Sequence, residues 1–337
     1  MKLYLATDSA LAILSSREND YQCELRMEEH QPQCVVVDPL RLELVYCGTM
    51  DQGLWRSDDA GRSWRKAGNG IVHQRVLSVA VSPLQRVNGR GVVYVGTEPS
   101  AVFRSEDGGE TWRNCVGLSK LPSSNEWSFP PRPDTHHARW IHPDAHVEGR
   151  LYVAIEAGAL IRSTDGGGTW TDRVPTGPID THQLVTHLST PGRLYSAAGD
   201  GYFESLDFGD SWQQLEEELE HRYAWSVAVD SADPECRIIS SAASPQRSHF
   251  KADAESFIYR RTANSQWQQV NVGLPNPSGR RTAVLAAHPS EPHNFFTVWE
   301  SDLFRSIDGG ESWQQLDVNW PDDFKVNEPR GLAVAPS

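Results

Sequence analysis

The chain has 337 residues, with 45 acidic side chains against 31 Lys and Arg, and a formal net charge of −14. That balance excludes a general nucleic-acid face and attachment to an acidic membrane surface, both of which need a basic face. No apolar run approaches the length of a membrane-spanning helix, and the five cysteines (Cys23, Cys34, Cys47, Cys115, Cys236) have neither C-x-x-C nor zinc spacing, which predicts reduced thiols in a cytoplasmic protein.

The opening MKLYLATDSALAIL reads as two strands around a turn, because Asp8 and Ser9 interrupt what would otherwise resemble a secretory apolar region. After it, one grammar recurs: an apolar strand ending near Pro, a second apolar strand, a third running into a tight turn, and a fourth leaving it. First strands read CVVVDP (34–39), VLSVAVSP (76–83), ARWIHP (138–143), LVTHLS (184–189), WSVAVD (225–230), AVLAAHP (283–289) and GLAVAP (331–336). The second strands read KLYLATD, LVYCGTMD, VVYVGTE, LYVAIE, LYSAAGD, RIISSAAS and NFFTVWE, equal in number. The turn has the skeleton S-x-D-x-G-x-x-W, intact at Ser57-Asp59-Gly61-Trp64, Ser105-Asp107-Gly109-Trp112, Ser163-Asp165-Gly167-Trp170, Ser205-Asp207-Gly209-Trp212 and Ser306-Asp308-Gly310-Trp313, and loose at residues 15–21 and before Trp267. Asp caps backbone N–H groups there, Gly allows positive φ, and Trp folds back over the turn.

The chain begins on a second strand and ends on a first strand, so residues 331–336 should pair beside residues 2–25 and close a ring. The expectation is an all-β fold: one seven-bladed β-propeller over residues 1–337 with four-stranded antiparallel blades around a channel. The loops between second and third strands and between blades then form a mouth opposite the repeat turns. Two long loops fall there: residues 117–134, rich in Pro, as a rigid lid, and residues 244–255 as a mobile one.

The turn skeleton resembles the Asp-box, or BNR repeat, of sialidases, some glycoside hydrolases, sortilin-type receptors and photosystem assembly factors. The runs GTEPSAVFRSEDGGETW, WSFPPRPDTHHARW and HRYAW are similar to bacterial BNR-repeat proteins, within the wider WD40/YVTN/BNR-like group, that are loosely called sialidase-like or glycosyl hydrolase. The resemblance implies that the turn Asp and Trp residues are structural. Sialidases have six blades, an arginine triad, a Tyr nucleophile with a Glu, and an Asp acid. Seven blades and Arg residues with only Tyr223 to match imply that true sialidase activity is absent.

Candidate functional residues collect at the mouth ends of the first strands. DTHH (134–137) and DTHQ (180–183) occupy equivalent places, which predicts His136 beside His182. Second strands end in Asp8, Asp51, Glu98, Glu156, Asp200 and Glu300, and of these Glu98 and Glu156 flank the blade with two His. Arg139 stands where Val35, Val79, Val185, Val227, Leu285 and Leu332 stand in other first strands, and a buried Arg needs an anionic partner or a ligand. The resulting expectation is a hydrolase or lyase for a small anionic, sugar-derived substrate. His136, His182, Glu98 and Glu156 are its catalytic groups, with Arg75, Arg139, Arg222, Arg281, Arg330, His73, His137, Tyr223, Trp225 and Trp127 binding substrate. No cofactor is required by this reading. Two alternatives stay open: a non-catalytic propeller holding a ligand or protein partner, and an enzyme whose divalent metal is held by His73, His136, His182 and His221. His142, His187 and His288, at the far ends of first strands, read as structural.

Overall fold

Residues 1–17, 20–263 and 265–336 are described by the structure, a computed structural model. The two loose copies of the repeat turn include Glu18, Asn19 and Asn264, which lie outside the described residues. The fold is all-β, built from four-stranded antiparallel groups such as Arg75–Val87, Arg90–Glu98, Val102–Ser105 and Arg113–Asn114. The group Ala138–Pro143, Leu151–Ile155, Ala159–Ser163 replaces its fourth strand with a single bridge, Arg162 to Thr171. One larger sheet joins two such groups through parallel pairing of Gln314–Asn319 with Asp20–Arg26. Its far edge is Pro329–Ala335, antiparallel to Lys2–Thr7.

The innermost strands touch in a closed order: Pro32–Asp38, Arg75–Val87, Ala138–Pro143, Thr181–Thr186, Tyr223–Val229, Val284–Ala287, Pro329–Ala335 and back to Pro32–Asp38. Second strands such as Leu151–Ile155, Leu194–Ala198 and Phe295–Trp299 are buried at every position. Sheets cover both of their faces, which is why they read as unbroken apolar runs rather than alternating ones. Two of the sheets are tied to the next by a buried tyrosine: Tyr4 Oη donates to Ala60 O (3.0 Å) and Tyr46 Oη to Gly108 O (2.8 Å), both in neighbouring repeat turns.

The repeat turn repeats its hydrogen bonds. In the first copy Ser57 Oγ donates to Asp59 Oδ1 (2.8 Å), Gly61 N donates to Ser57 Oγ (2.8 Å), and Ser63 donates from both N and Oγ to the Asp59 carboxylate. Ser63 and Ser57 thereby hold the Asp59 carboxyl well below the usual carboxylate range. Gly61 has φ of +90°, and a Cβ there would lie 2.5 Å from Ile13 Cδ1. The Trp does not always close on its own turn. Trp64 Nε1 donates to Gly61 O (3.0 Å), but Trp112 Nε1 donates to Ala67 O (2.6 Å) in the preceding sheet, so some turns also staple neighbours.

The channel bore is a cavity of about 460 Å³ with an apolar wall that includes Val35, Val79, Ile141, Val227 and Leu285. It has little chemistry to offer. The polar groups of the candidate site lie at the end where first strands begin and second strands finish.

Candidate functional site at the channel mouth

The site is made by a backbone irregularity. Near the start of five inner strands the ladder slips by one residue, between Pro32 and Cys34, Val76 and Ser78, Ala138 and Trp140, Thr181 and Gln183, and Ala224 and Ser226. Opposite Ala6 and Thr7 the closing strand likewise passes from Gly331 to Pro329. A bulge leaves one residue unpaired and re-aims its side chain. The six residues so released are Gln33, Leu77, Arg139, His182, Trp225 and Arg330. All but His182 line a mouth pocket of about 200 Å³, together with Met50, Phe129, Arg132, His137, Glu156 and Glu328. His182 lies just behind, its ring 4.6 Å from that of Trp225.

This register corrects two expectations. Ile141, not Arg139, is the counterpart of Val35, Val79 and Val227, because Ile141 faces Val153 as those residues face Cys47, Val95 and Ile239. Thr181 faces Ala198 as Ala138 faces Ile155, so His182 corresponds to Arg139 and not to His136. One inserted residue shifts every assignment beyond it. Side chains on a strand alternate between faces, and it is His137 that lines the pocket. His136 instead packs edge-on against Trp127, at 5.5 Å, and burial lowers its pKa.

Two buried carboxylates organise the pocket. Glu98 receives Arg132 (Nε, 3.0 Å) and Arg75 (Nη1, 2.9 Å), with His137 Nδ1 at 3.7 Å. Burial opposes its ionisation, but the two guanidinium groups hold its pKa below the ordinary value. Glu156 Oε2 accepts from His137 Nε2 at 2.6 Å and lies 3.5 Å from Arg139 Nε. Burial again opposes ionisation, yet His137, Arg139 and His182 hold Glu156 down at about 2. An ionised carboxylate can only accept, so His137 carries its proton on Nε2.

Arg139 is only partly satisfied. Its guanidinium sits 4.9 Å from the centre of the Trp225 ring, and among the described residues its terminal nitrogens make no hydrogen bond. Arg330 bonds Glu328 through Nη2 (3.2 Å), while its buried Nη1 has no partner among the described residues. Arg132 lies over Phe129 at 4.8 Å.

Beside the pocket Glu156, Asp180 and His182 form a group able to hold a metal ion, their donor atoms within 4.8 Å of one another. Burial, opposed by the neighbouring His182 and reinforced by the Glu156 charge, raises the Asp180 pKa. Tyr223 Oη bridges toward His249 Nε2 (3.0 Å) and His182 Nε2 (3.4 Å).

Several expected members lie elsewhere. Arg222 is exposed and pairs with Glu216. His221 stacks on Phe257 at 3.9 Å and bonds Tyr259. His73 packs near Phe103, so the four histidines proposed together for a metal have separate surroundings. Arg281 is spent on two carbonyls, His249 O (3.0 Å) and Asn327 O. Trp127 belongs to the core and donates to Ser123 Oγ (3.0 Å), so it supplies no stacking surface. Of the other acids, Asp8 and Asp200 accept from backbone N–H groups, Asp51 pairs with Arg75, and Glu300 pairs with Lys251.

Sequence reasoning missed Asp180, Arg132, Phe129 and His249. Asp180 and Arg132 were visible only as turn residues, and His249 comes from the second long loop. That loop carries a helical turn, Pro245–His249, started by Arg247 N donating to Ser244 Oγ, rather than an irregular segment. The first loop holds two 3-10 turns, Leu118–Lys120 and Pro122–Glu126.

No protein-family model matches the chain, and no curated protein matches it in sequence. Solved structures do. A GH74 enzyme from Niastella koreensis is similar with a TM-score of 0.70 at 17% identity, over 93% of this chain and 52% of that one. An ancestral GH74 enzyme gives 0.62 at 16%, over 99% of this chain and 39% of that one. YCF48 bound to D1 peptide gives 0.57 at 16%, over 94% of this chain and 84% of that one. Likeness at this identity defines a fold, and the fold is a β-propeller. The chain spans about half the length of the Niastella GH74 enzyme and less of the ancestral one.

Proposed function

We propose that the protein is a single seven-bladed β-propeller of the Asp-box kind that binds a small anionic ligand, a carboxylate of sugar-derived type, at the channel mouth and acts on it as a hydrolase or lyase. The cyclic contact order of the inner strands supports the blade count. The shared hydrogen bonds of the S-x-D-x-G turns support the repeat type. The observation that carries the binding assignment is Arg139: a guanidinium released by a bulge, backed by Trp225 and beside the unpartnered Arg330 Nη1. Free donors in a fixed fork fit a carboxylate, and the indole face fits a sugar ring or its derivative.

His137 is the group placed to move a proton, with Glu156 fixing its tautomer through the 2.6 Å bond and Glu98 on its other side. The GH74 enzymes among the structural neighbours favour a hydrolytic reaction on sugars. Binding of sugar acids and their neutral counterparts, followed by calorimetry, tests the reading. Acids should bind and neutral analogues should not, and Arg139→Ala should abolish the difference. Equal binding of both series overturns it.

A second reading is favoured by coverage: the peptide-bound YCF48 matches over 84% of its own length. On that reading the same arginines hold an acidic peptide segment and no turnover occurs. Binding of an acidic peptide with no response to sugar acids would select it.

A further inference from the structure

We propose that Glu156, Asp180 and His182 form a binding site for one divalent first-row transition ion, of Zn²⁺ or Co²⁺ character, at the inner wall of the mouth. The argument starts from what each side chain has already committed. His182 Nδ1 lies 2.8 Å from Ala224 O. A carbonyl only accepts, so Nδ1 carries the proton and the Nε2 lone pair is left pointing away from it. Glu156 Oε2 is taken by His137 Nε2 at 2.6 Å, leaving Oε1. Asp180 Oδ1 accepts from Ala157 N at 2.7 Å, leaving Oδ2. The three remaining atoms face one another: His182 Nε2 is 3.7 Å from Asp180 Oδ2 and 3.9 Å from Glu156 Oε1.

A buried lone pair facing two carboxylate oxygens is repulsive unless a cation lies between them. The choice is a proton or a metal ion, and the distances decide. A proton on Nε2 needs an acceptor within about 3.2 Å, and neither carboxylate is that near, nor is Tyr223 Oη, which lies 3.4 Å away and 3.0 Å from His249 Nε2. Two ligands bound at about 2.1 Å around a tetrahedral or wider angle stand roughly 3.4–3.8 Å apart. The observed 3.7 and 3.9 Å lie at the upper end of that range and just beyond it, nearer the second case than the first.

The outer partners are those that orient metal ligands. A backbone carbonyl holds the imidazole, a second histidine holds one carboxylate, and a backbone N–H holds the other. Room for Asp180 is also built in. A Cβ on Gly199 would lie 2.1 Å from Asp180 Oδ2, so only glycine leaves that oxygen its place. His182 has no exposed side-chain surface, whereas Asp180 is 26% exposed and gives an entry path from solvent. One imidazole with two carboxylates suits a borderline ion, and in the usual affinity order Zn²⁺ outcompetes Mn²⁺.

The proposal stands on these side chains and survives failure of the sugar-acid reading, because its test uses no organic ligand. The full-length protein is stripped with chelator and dialysed. It is then titrated with Zn²⁺ against a chromophoric competitor and, separately, with Co²⁺ while the visible absorption is followed. Roughly one equivalent of Zn²⁺ should be retained, and Co²⁺ should give ligand-field bands that Zn²⁺ displaces. Asp180→Asn, Glu156→Gln and His182→Gln should each weaken retention by at least about tenfold, and His137→Gln, which removes only a partner of Glu156, by about tenfold or more. Circular dichroism in chelator confirms which variants fold. Asp180→Asn, the most conservative change, decides the matter if His182→Gln does not fold. No retention by the native protein, or equal retention by folded Asp180→Asn, overturns the proposal.

Discussion

The two ends of the channel use the same residue types to opposite purpose. At the repeat-turn end each Asp is satisfied by its own turn, as Asp107 is by Thr111 Oγ1 (2.6 Å), Thr111 N (3.0 Å) and Ser105 Oγ (2.7 Å). Despite the cost of burial those donors hold Asp107 at about 2. Nothing is left over for a ligand. At the mouth Arg139 and Glu156 come from one sheet and His182 and Arg330 from two others, and each retains an atom without a strong partner. Local sequence satisfies the turn Asp completely, whereas these four mouth groups, brought together by tertiary packing, are satisfied only in part, and the remainder is available for chemistry.

The sharpest way to break this contrast is to disturb a buried ion-pair network at the turn end. Glu204 takes Arg237 Nε at 2.6 Å and Arg193 Nη2 at 2.9 Å, with both Glu204 and Arg237 nearly inaccessible. Glu204→Ala should destabilise by about 3–5 kcal/mol, because it strands a buried guanidinium. Chemical denaturation measures it, and a loss below about 1 kcal/mol would remove the distinction between the ends. Gly61→Ala comes next. At φ of +90° and 2.5 Å from Ile13 Cδ1 it should cost about 1–3 kcal/mol while leaving mouth binding unchanged.

Arg139→Ala should do the reverse. Losing a charged hydrogen-bond donor should weaken carboxylate binding by about 1.5–3 kcal/mol in the affinity with little change in thermal midpoint. A large midpoint drop would make Arg139 a structural group.

The smallest effect expected is in pH dependence. Burial foremost, then the neighbouring His182, lowers His249 to about 4. The unfolded chain therefore binds a proton there at a higher pH than the folded chain does. Stability contributed by this neutral imidazole is complete above about pH 6.5 and falls as pH drops toward about 4. His249→Gln should flatten the stability curve in that window. Glu98 and Glu156 act lower: their folded pKa values are depressed, so their contribution is present above about pH 4.3 and is lost as pH falls through the folded values, about 2 for Glu156. An unchanged slope in His249→Gln between pH 6.5 and 4 would show that the mouth histidine is not buried as described.

Much of the architecture was legible because it is periodic. Strand runs, Gly at positive φ and the Ser–Asp pair lie within a few residues of one another, so their chemistry is written in the local chain. Part of the site was legible too: Arg139 stood out as a charge among apolar positions, and Glu156, Glu98, Trp225 and Tyr223 were placed at the mouth. The errors share one cause. A bulge inserts a residue without any composition signal, so counting along the strand chose His136 over His137 and misjudged what Arg139 replaces. Trp127 was misjudged for a different reason, since an aromatic in a Pro-rich loop gives no sign of whether it faces solvent or core.

The sequence by itself determined the repeat, the strand order and the self-contained turns, because those depend on backbone preferences and hydrogen bonds spanning only a few residues. The tertiary structure alone decided which bulged residues enter the mouth, that His249 and Asp180 meet His182, and which atoms are left unpaired. These outcomes depend on register between strands and on packing between sheets, which short-range residue preferences do not encode.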